Sequence, residues 1–359
     1  MFEKLKSLFA ADKQPTLPEA PSGDTILFNA YCSRAEIPQP SFAHILHARR
    51  DLSDPGLLDQ VNSLCGYVFE RGDGQMSQSK YHVILHLQRV QHHVSIGVGA
   101  ADVAALHAWA RQANALLFTQ DGAVLDPDGH VLVGAADGKP DAQARVPHPE
   151  RAWARKAATE ALLAARGIDV PATLPPLVCE DELVLRSRDE IIGRARALLL
   201  VALRAESVAS GQPMGVEMLL SKMPLADDSL SPNEKAFLAK EAPSQQECAQ
   251  FIWRYESLNV LEWVLGLAGE LPFPGSQCDA AGTAAKLIEM RGPEVRGSSD
   301  ILDALDLTYR LHWAIRQARL KKQGEPAGVD ADVVMERHHA LNWLVRFQHA
   351  GWDAIDTPT

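Results

Sequence analysis

Between residues 134 and 149 the chain carries Gly134, Gly138, Pro140, Pro147 and Pro149 with almost no apolar periodicity, and no regular element can run through that stretch. Glycine adds backbone freedom that a helix or strand must give up, and proline fixes φ while removing an N–H donor. Composition changes across the same break. Nine of the thirteen histidines lie up to and including His148, whereas six of the seven tryptophans follow it. For 359 residues, at roughly 100 to 200 per domain, two domains are expected. The break predicts a tail over 1–22, a first domain over 23–135, a linker over 136–149 and a second domain over 150–359.

The first domain mixes strands and helices. Residues 25–31 (TILFNAY) are rich in β formers, and 81–98 (YHVILHLQRVQHHVSIGV) alternates well enough to be one long strand or two paired ones. Residues 57–64 and 101–114 carry helical spacing, with Val103, Leu106, Ala110 and Ala113 on one stripe. Asp126-Pro127-Asp128-Gly129 predicts a hairpin between 123–125 and 130–133, because proline presets φ and glycine accepts a positive one. The order β, α, β, β, α, β predicts an α+β domain with a ferredoxin-like sandwich, an antiparallel sheet with helices on one face. Even spacing along 81–98 would put His82 and His86 on one wet sheet face, a candidate partner-binding surface.

The second domain reads as an all-α helical bundle. Helices are expected over 151–166, 189–207, 232–240, 245–267, 299–322 and 332–347, with Ser231, Pro232 and Glu234 supplying a cap, a first-turn proline and a reciprocal carboxylate. Three of these helices are apolar on almost every side yet carry charges. The first holds Arg254, Glu256 and Glu262; the second Asp303, Asp306, Arg310 and Arg316; the third Glu336, Arg337, His338, His339 and Asn342. A buried, unpaired charge is costly, so such groups satisfy one another, reach solvent or line a pocket. Asp306 and Arg310 stand four apart in the favourable acid-first orientation. The expected arrangement is a structural polar network of Arg254, Glu256, Asp303, Asp306, Arg310, Glu336, Arg337, His338 and Asn342, with a functional pocket of the same groups as the alternative. Asp227 and Asp228, in an acidic loop over 225–230, are a further candidate partner-binding surface.

Chemical motifs are sparse. Glu336 and His339 have the i, i+3 spacing of carboxylate-bridged di-iron proteins, but that chemistry needs such a pair on two helices and this one has a single pair. Gly97-Val98-Gly99 lacks the third glycine of a dinucleotide-binding turn. Signatures of common hydrolases, nucleoside triphosphatases and zinc deaminases are missing. Five scattered cysteines, none in a CxxC pair, argue against a disulfide framework or a cysteine zinc site. No catalytic residue, metal or cofactor is therefore expected, and the chain reads as non-enzymatic. With 46 acidic and 35 basic residues the formal charge is −11, the wrong sign for coating nucleic acid or an anionic membrane. No window approaches 18 uninterrupted apolar residues, and Met1 to Phe9 has no leader-like apolar run, so a cytoplasmic protein is expected.

Several separated motifs of the second half resemble a bacterial family catalogued as domain of unknown function 4272. They are Arg186-Ser187 with Glu190-Ile191-Ile192 and the run from Arg194 to Arg204, then Trp253-Arg254-Tyr255-Glu256-Ser257-Leu258. Leu271-Pro272-Phe273-Pro274 with Cys278-Asp279 and the run from Asp300 to Arg310 follow. Glu336-Arg337-His338, Ala340-Leu341-Asn342-Trp343 and Trp352-Asp353 complete the set, so the family-like region spans 186–357. The resemblance implies no established reaction. Some such proteins look like immunity proteins encoded beside toxic effectors of bacterial type VI secretion systems. What this implies is a protein that binds and neutralises a cognate effector toxin, a nuclease, in the cell that makes it. The alternative is an enzyme with a polar, metal-binding pocket in the helical domain.

Overall fold

The computed structural model describes residues 23–223 and 226–359. The expected tail over 1–22, and Leu225 of the acidic loop, lie outside the described residues. The chain divides into two compact units, Met1–Pro147 and His148–Thr359.

The first unit is built on a six-stranded antiparallel sheet: β1 (Thr25–Cys32), β2 (His44–Asp51), β3 (His92–Gly99), β4 (Ala115–Thr119), β5 (Val124–Leu125) and β6 (Val131–Val133), in the order β2-β3-β1-β4-β5-β6. Its helices are α1 (Pro55–Glu70), α2 (Gln78–Leu87) and α3 (Val103–Ala113). Residues 81–87, expected as strand, lie in α2. Val83, His86, Leu87 and Val90 recur at three- and four-residue intervals and are all buried, and the Ser77 hydroxyl caps the helix through the Lys80 N–H. Over so short a run, alternation and helical spacing cannot be told apart. Strand β2 was not expected, because HILHARRD is too polar for a covered strand. It is an edge strand paired to β3 alone, and it leaves Ile45 and Leu46 exposed.

The helices lie on both faces of the sheet, not on one. Strand β4 shows why: Ala115 and Leu117 join Phe28, Ile96, Leu106 and Trp109 on the α3 side, while Leu116 and Phe118 join Tyr31, Leu57, Val83 and Leu132 on the α1 and α2 side. A strand apolar at consecutive positions is covered twice. The element order is therefore β, β, α, α, β, α, β with the hairpin appended, and no helix separates β1 from β2 as the ferredoxin-like order requires. The hairpin forms around Asp126 to Gly129, with Gly129 at φ +89°. The stretch expected as an exposed linker is pinned to this unit: the Asp141 N–H donates to the Val131 carbonyl at 2.7 Å, and Ala144 is buried against Leu132 and Val133.

The second unit is helical. It contains α4 (Glu150–Ala164), α5 (Arg188–Ala209), α6 (Val216–Lys222), α7 (Ala226–Ser229), α8 (Pro232–Leu238), α9 (Gln245–Ile252), α10 (Arg254–Val264), α11 (Ala280–Ile288), α12 (Ser298–Leu320) and α13 (Ala331–Leu344). Capping boxes at Ser187/Glu190, Ser231/Glu234 and Ser244/Glu247 start α5, α8 and α9 by satisfying backbone N–H groups that no helical carbonyl can reach. The helix expected over 245–267 is broken at Trp253 into α9 and α10. Helices α5 and α10 are buried on nearly every side and form the core with Leu302, Leu341 and Trp352. A smaller apolar cluster joins Leu163, Leu311, Ile315 and Val334. No helix among the described residues is long and apolar enough to cross a membrane.

Candidate functional site

The second unit holds a cleft of about 600 Å³, walled by α8, α9, the start of α10, the first turns of α13 and the turn at Trp352–Ala354. Each wall contributes charge for a local reason. Glu234 and Glu247 are the reciprocal carboxylates of two capping boxes, and each also takes a cation from elsewhere. Glu234 Oε2 accepts from the Ser231 N–H at 2.8 Å and pairs with Arg194 of α5. Glu247 pairs with Lys240, which holds its carboxyl down to about 2. Arg254, at the start of α10, places one Nη against both oxygens of Glu336 at 3.0 and 2.9 Å, and the Ser257 hydroxyl donates to Glu336 Oε2 at 2.7 Å. Burial raises the Glu336 carboxyl above the usual range, against the pull of Arg254 and Ser257, with Glu256 adding to the rise. Trp352 stands between the groups: Arg194 lies over its ring at 4.7 Å and His339 meets it edge-on at 4.5 Å.

The sequence-expected network is thus dispersed into separate clusters. Arg254 and Glu336 meet at the cleft. Asp306 and Arg310 form a buried bidentate pair at 2.9 and 2.9 Å, and Arg310 also reaches the Pro175 carbonyl at 3.2 Å and Glu160 at 3.5 Å. Glu256 accepts the Cys278 N–H at 2.5 Å, and Arg337 donates to the Pro272 carbonyl at 2.5 Å, so both tie down the Leu271 to Asp279 loop. His338 faces His312, Nδ1 to Nδ1, at 2.9 Å, with both rings kept neutral by burial. Asn342 donates to the Asp356 carbonyl at 2.9 Å. Asp303 is exposed, not buried, and holds Arg155 together with Glu180.

The candidate partner surface fares unevenly. His82 and His86 sit on α2 instead of a strand, and His86 is fully buried, its Nε2 3.2 Å from the Tyr31 carbonyl, so it cannot face a partner. Burial holds the His86 imidazole down to about 3. Asp227 and Asp228 are exposed on α7.

Glu336 and His339 diverge, one to Arg254 and the other to Trp352, and do not form a ligand pair. Among the described residues, three potential metal ligands come within 4.8 Å of one another only at Asp126, Asp128 and His130. There Asp126 accepts the Asp128, His130 and Arg145 N–H groups and Asp128 pairs with Arg111, which accounts for the cluster as the frame of the hairpin. Sequence reasoning missed the roles of Arg194, Lys240, Glu247, Asp332 and Asp353. A signal existed: Trp253-Arg254, Glu336 and Trp352-Asp353 come from three separate motif segments and all line the one cleft.

Comparison with known proteins places the second half. No curated protein and no solved structure matches the chain. The family match begins in α4, upstream of the start expected at Arg186, and covers more than half of the sequence. The chain belongs to the family described as a domain of unknown function (DUF4272), matched over residues 155–355.

Proposed function

We propose that this is a non-enzymatic immunity protein that binds and neutralises a cognate secreted antibacterial toxin, in the cytoplasm of the cell that makes both. What supports a binding role is the matching of charges at the cleft: Arg194 with Glu234, Lys240 with Glu247, and Arg254 with Glu336. Groups held in such pairs are poor bases and nucleophiles, whereas general acid–base work needs a group poised near neutral pH and reachable by substrate. Ser257, hydrogen-bonded to Glu336, is fully buried. The surplus of carboxylates suits a partner with a cationic groove, such as a nuclease, because complementary charge speeds encounter. Co-expression with the product of the adjacent gene tests this. Relief of its toxicity and a complex that survives purification are expected; a neighbour that is harmless, or that forms no complex, overturns the proposal.

A second reading, an enzyme using the cleft, is favoured by Glu336, a half-buried carboxyl with a raised pKa at the cleft. Glu336→Gln separates the two. A binding protein keeps protecting cells when this carboxyl is neutralised, and an enzyme that depends on it does not.

A further inference from the structure

We infer that the cleft beside Trp352 receives an arginine residue presented on the chain of a protein partner; this rests on the binding role proposed above. Three buried atoms on residues that line the cleft are left over after all internal bonds are made: Glu234 Oε1, Trp352 Nε1 and Arg254 Nε. Glu234, 1% exposed, commits Oε2 to Arg194 and the Ser231 N–H, and its Oε1 has no donor. Trp352, 5% exposed, has no acceptor for Nε1. A buried donor or acceptor is stabilised only when its complement arrives. One free acceptor and two free donors fit an arginine in a peptide, which offers guanidinium N–H groups on the side chain to the acceptor and backbone carbonyls to the donors.

Charge points the same way. Lys240, Arg254 and Arg194 are each matched to a carboxylate, which leaves Asp332 and Asp353, exposed on the cleft wall, outside every ion pair among the described residues. The cleft therefore carries uncompensated negative charge. Phe251, Trp253 and Met335 supply apolar surface for the methylene stem and an aromatic face for the guanidinium plane. Arginine is favoured over lysine because its planar fork can serve a carboxylate and stack on an indole at once. About 600 Å³ lies within the usual range for sites that enclose a ligand.

The test is an NMR titration of the full chain with the blocked tripeptide acetyl-Ala-Arg-Ala-amide, following the indole N–H signals and identifying that of Trp352 by its loss in Trp352→Phe. A saturable shift of the Trp352 signal is expected. Replacing arginine by uncharged citrulline should weaken binding at least tenfold, as should the double variant Asp332→Asn/Asp353→Asn, in which an amide oxygen at position 353 can still accept the Asn233 N–H that Asp353 Oδ2 takes at 2.9 Å. Agmatine, a guanidinium without the carbonyl, should bind several-fold more weakly than the peptide. Equal binding of agmatine would assign the cleft to a free guanidine and overturn the peptide occupant. No saturable shift, or a citrulline peptide that binds as well, overturns the site altogether. If the adjacent gene's product binds wild type and Asp332→Lys/Asp353→Lys equally, the cleft assignment falls and the binding role stands. If the tripeptide binds and that product does not, the role falls and the site stands.

Discussion

Glu262, on α10, is fully buried, and neither carboxylate oxygen finds a hydrogen bond of ordinary geometry. Burial pushes its carboxyl from an ordinary 4.5 up to about 8, against the pull of Lys286 and the Leu287 backbone. The folded state then holds the proton more tightly than the unfolded chain. Stability from this group is complete below pH 4.5 and is lost as pH rises towards 8. At about 1.4 kcal/mol per pH unit the whole interval is worth of the order of 4 kcal/mol, with roughly 1.5 kcal/mol of it between pH 6.5 and 8. The buried histidines, which take up protons in the unfolded chain around pH 6.5, add the same pH dependence to both proteins, so the difference between the two profiles isolates Glu262. Glu262→Gln keeps the shape and cannot ionise, so its profile should lack this fall and its stability should exceed that of wild type above pH 8. Urea unfolding followed by tryptophan fluorescence reads the right unit, since six of seven tryptophans lie in it and Trp263 adjoins the site. Parallel pH profiles for the two proteins would mean that Glu262 is already ionised in the folded state and that burial does not raise its carboxyl.

Glu336→Ala should destabilise the second unit by about 3 kcal/mol, the lower end for a broken buried pair because both side chains keep some solvent contact, and Arg254→Met/Glu336→Leu should restore at least half in urea unfolding. Burial holds His312 down to about 4 and His338 well below the ordinary imidazole value, so the unfolded chain takes protons first and stability falls as pH drops from 6.5. Replacing both by leucine should make that acid limb of a melting-temperature profile less steep, the remainder coming from groups such as His339, held down to about 4. Gly72 has φ +66°, and a Cβ there would lie 2.3 Å from the Asp137 carbonyl oxygen. Gly72→Ala should cost at least about 1–2 kcal/mol from the left-handed backbone alone and should expose residues 134–146 to limited proteolysis.

Where apolar spacing ran over many turns the fold was legible in the sequence. The helices over 189–207, 299–322 and 332–347 carry long apolar runs, and α5, α12 and α13 lie there, the first and last opened by the capping side chains of Ser187 and Asp330. Errors came where two signals coincide or where packing overrides both. YHVILHL suits strand and helix alike until its burial against Tyr31 is known. HILHARRD has no covered face to advertise, and only pairing with β3 makes it a strand. Residues 134–146 look like linker because glycine and proline suppress periodicity, yet the Asp141 carboxylate and N–H both reach Val131 and bring Ala144 onto the core. No local pattern encodes that return.

For the candidate site, sequence could say that the charges in the apolar helices needed partners but not which partners they take. Asp306 and Arg310 were legible as a pair because both lie on one helix, four residues apart. The others depend on tertiary contact: Arg254 meets Glu336 across α10 and α13, Arg194 meets Glu234 across α5 and α8, and Arg337 donates to a loop carbonyl. A single shared network would make every charge answer to every other. Separate clusters instead let each helix contact settle its own polar groups, so a substitution in the Asp306–Arg310 pair should leave the Arg254–Glu336 pair undisturbed. The same dispersal explains why the cleft keeps a surplus. Glu234, Glu247 and Glu336 are matched one by one from within, and the charges of Asp332 and Asp353, outside those ion pairs, remain for whatever the protein meets, although Asp353 also accepts the Asn233 N–H.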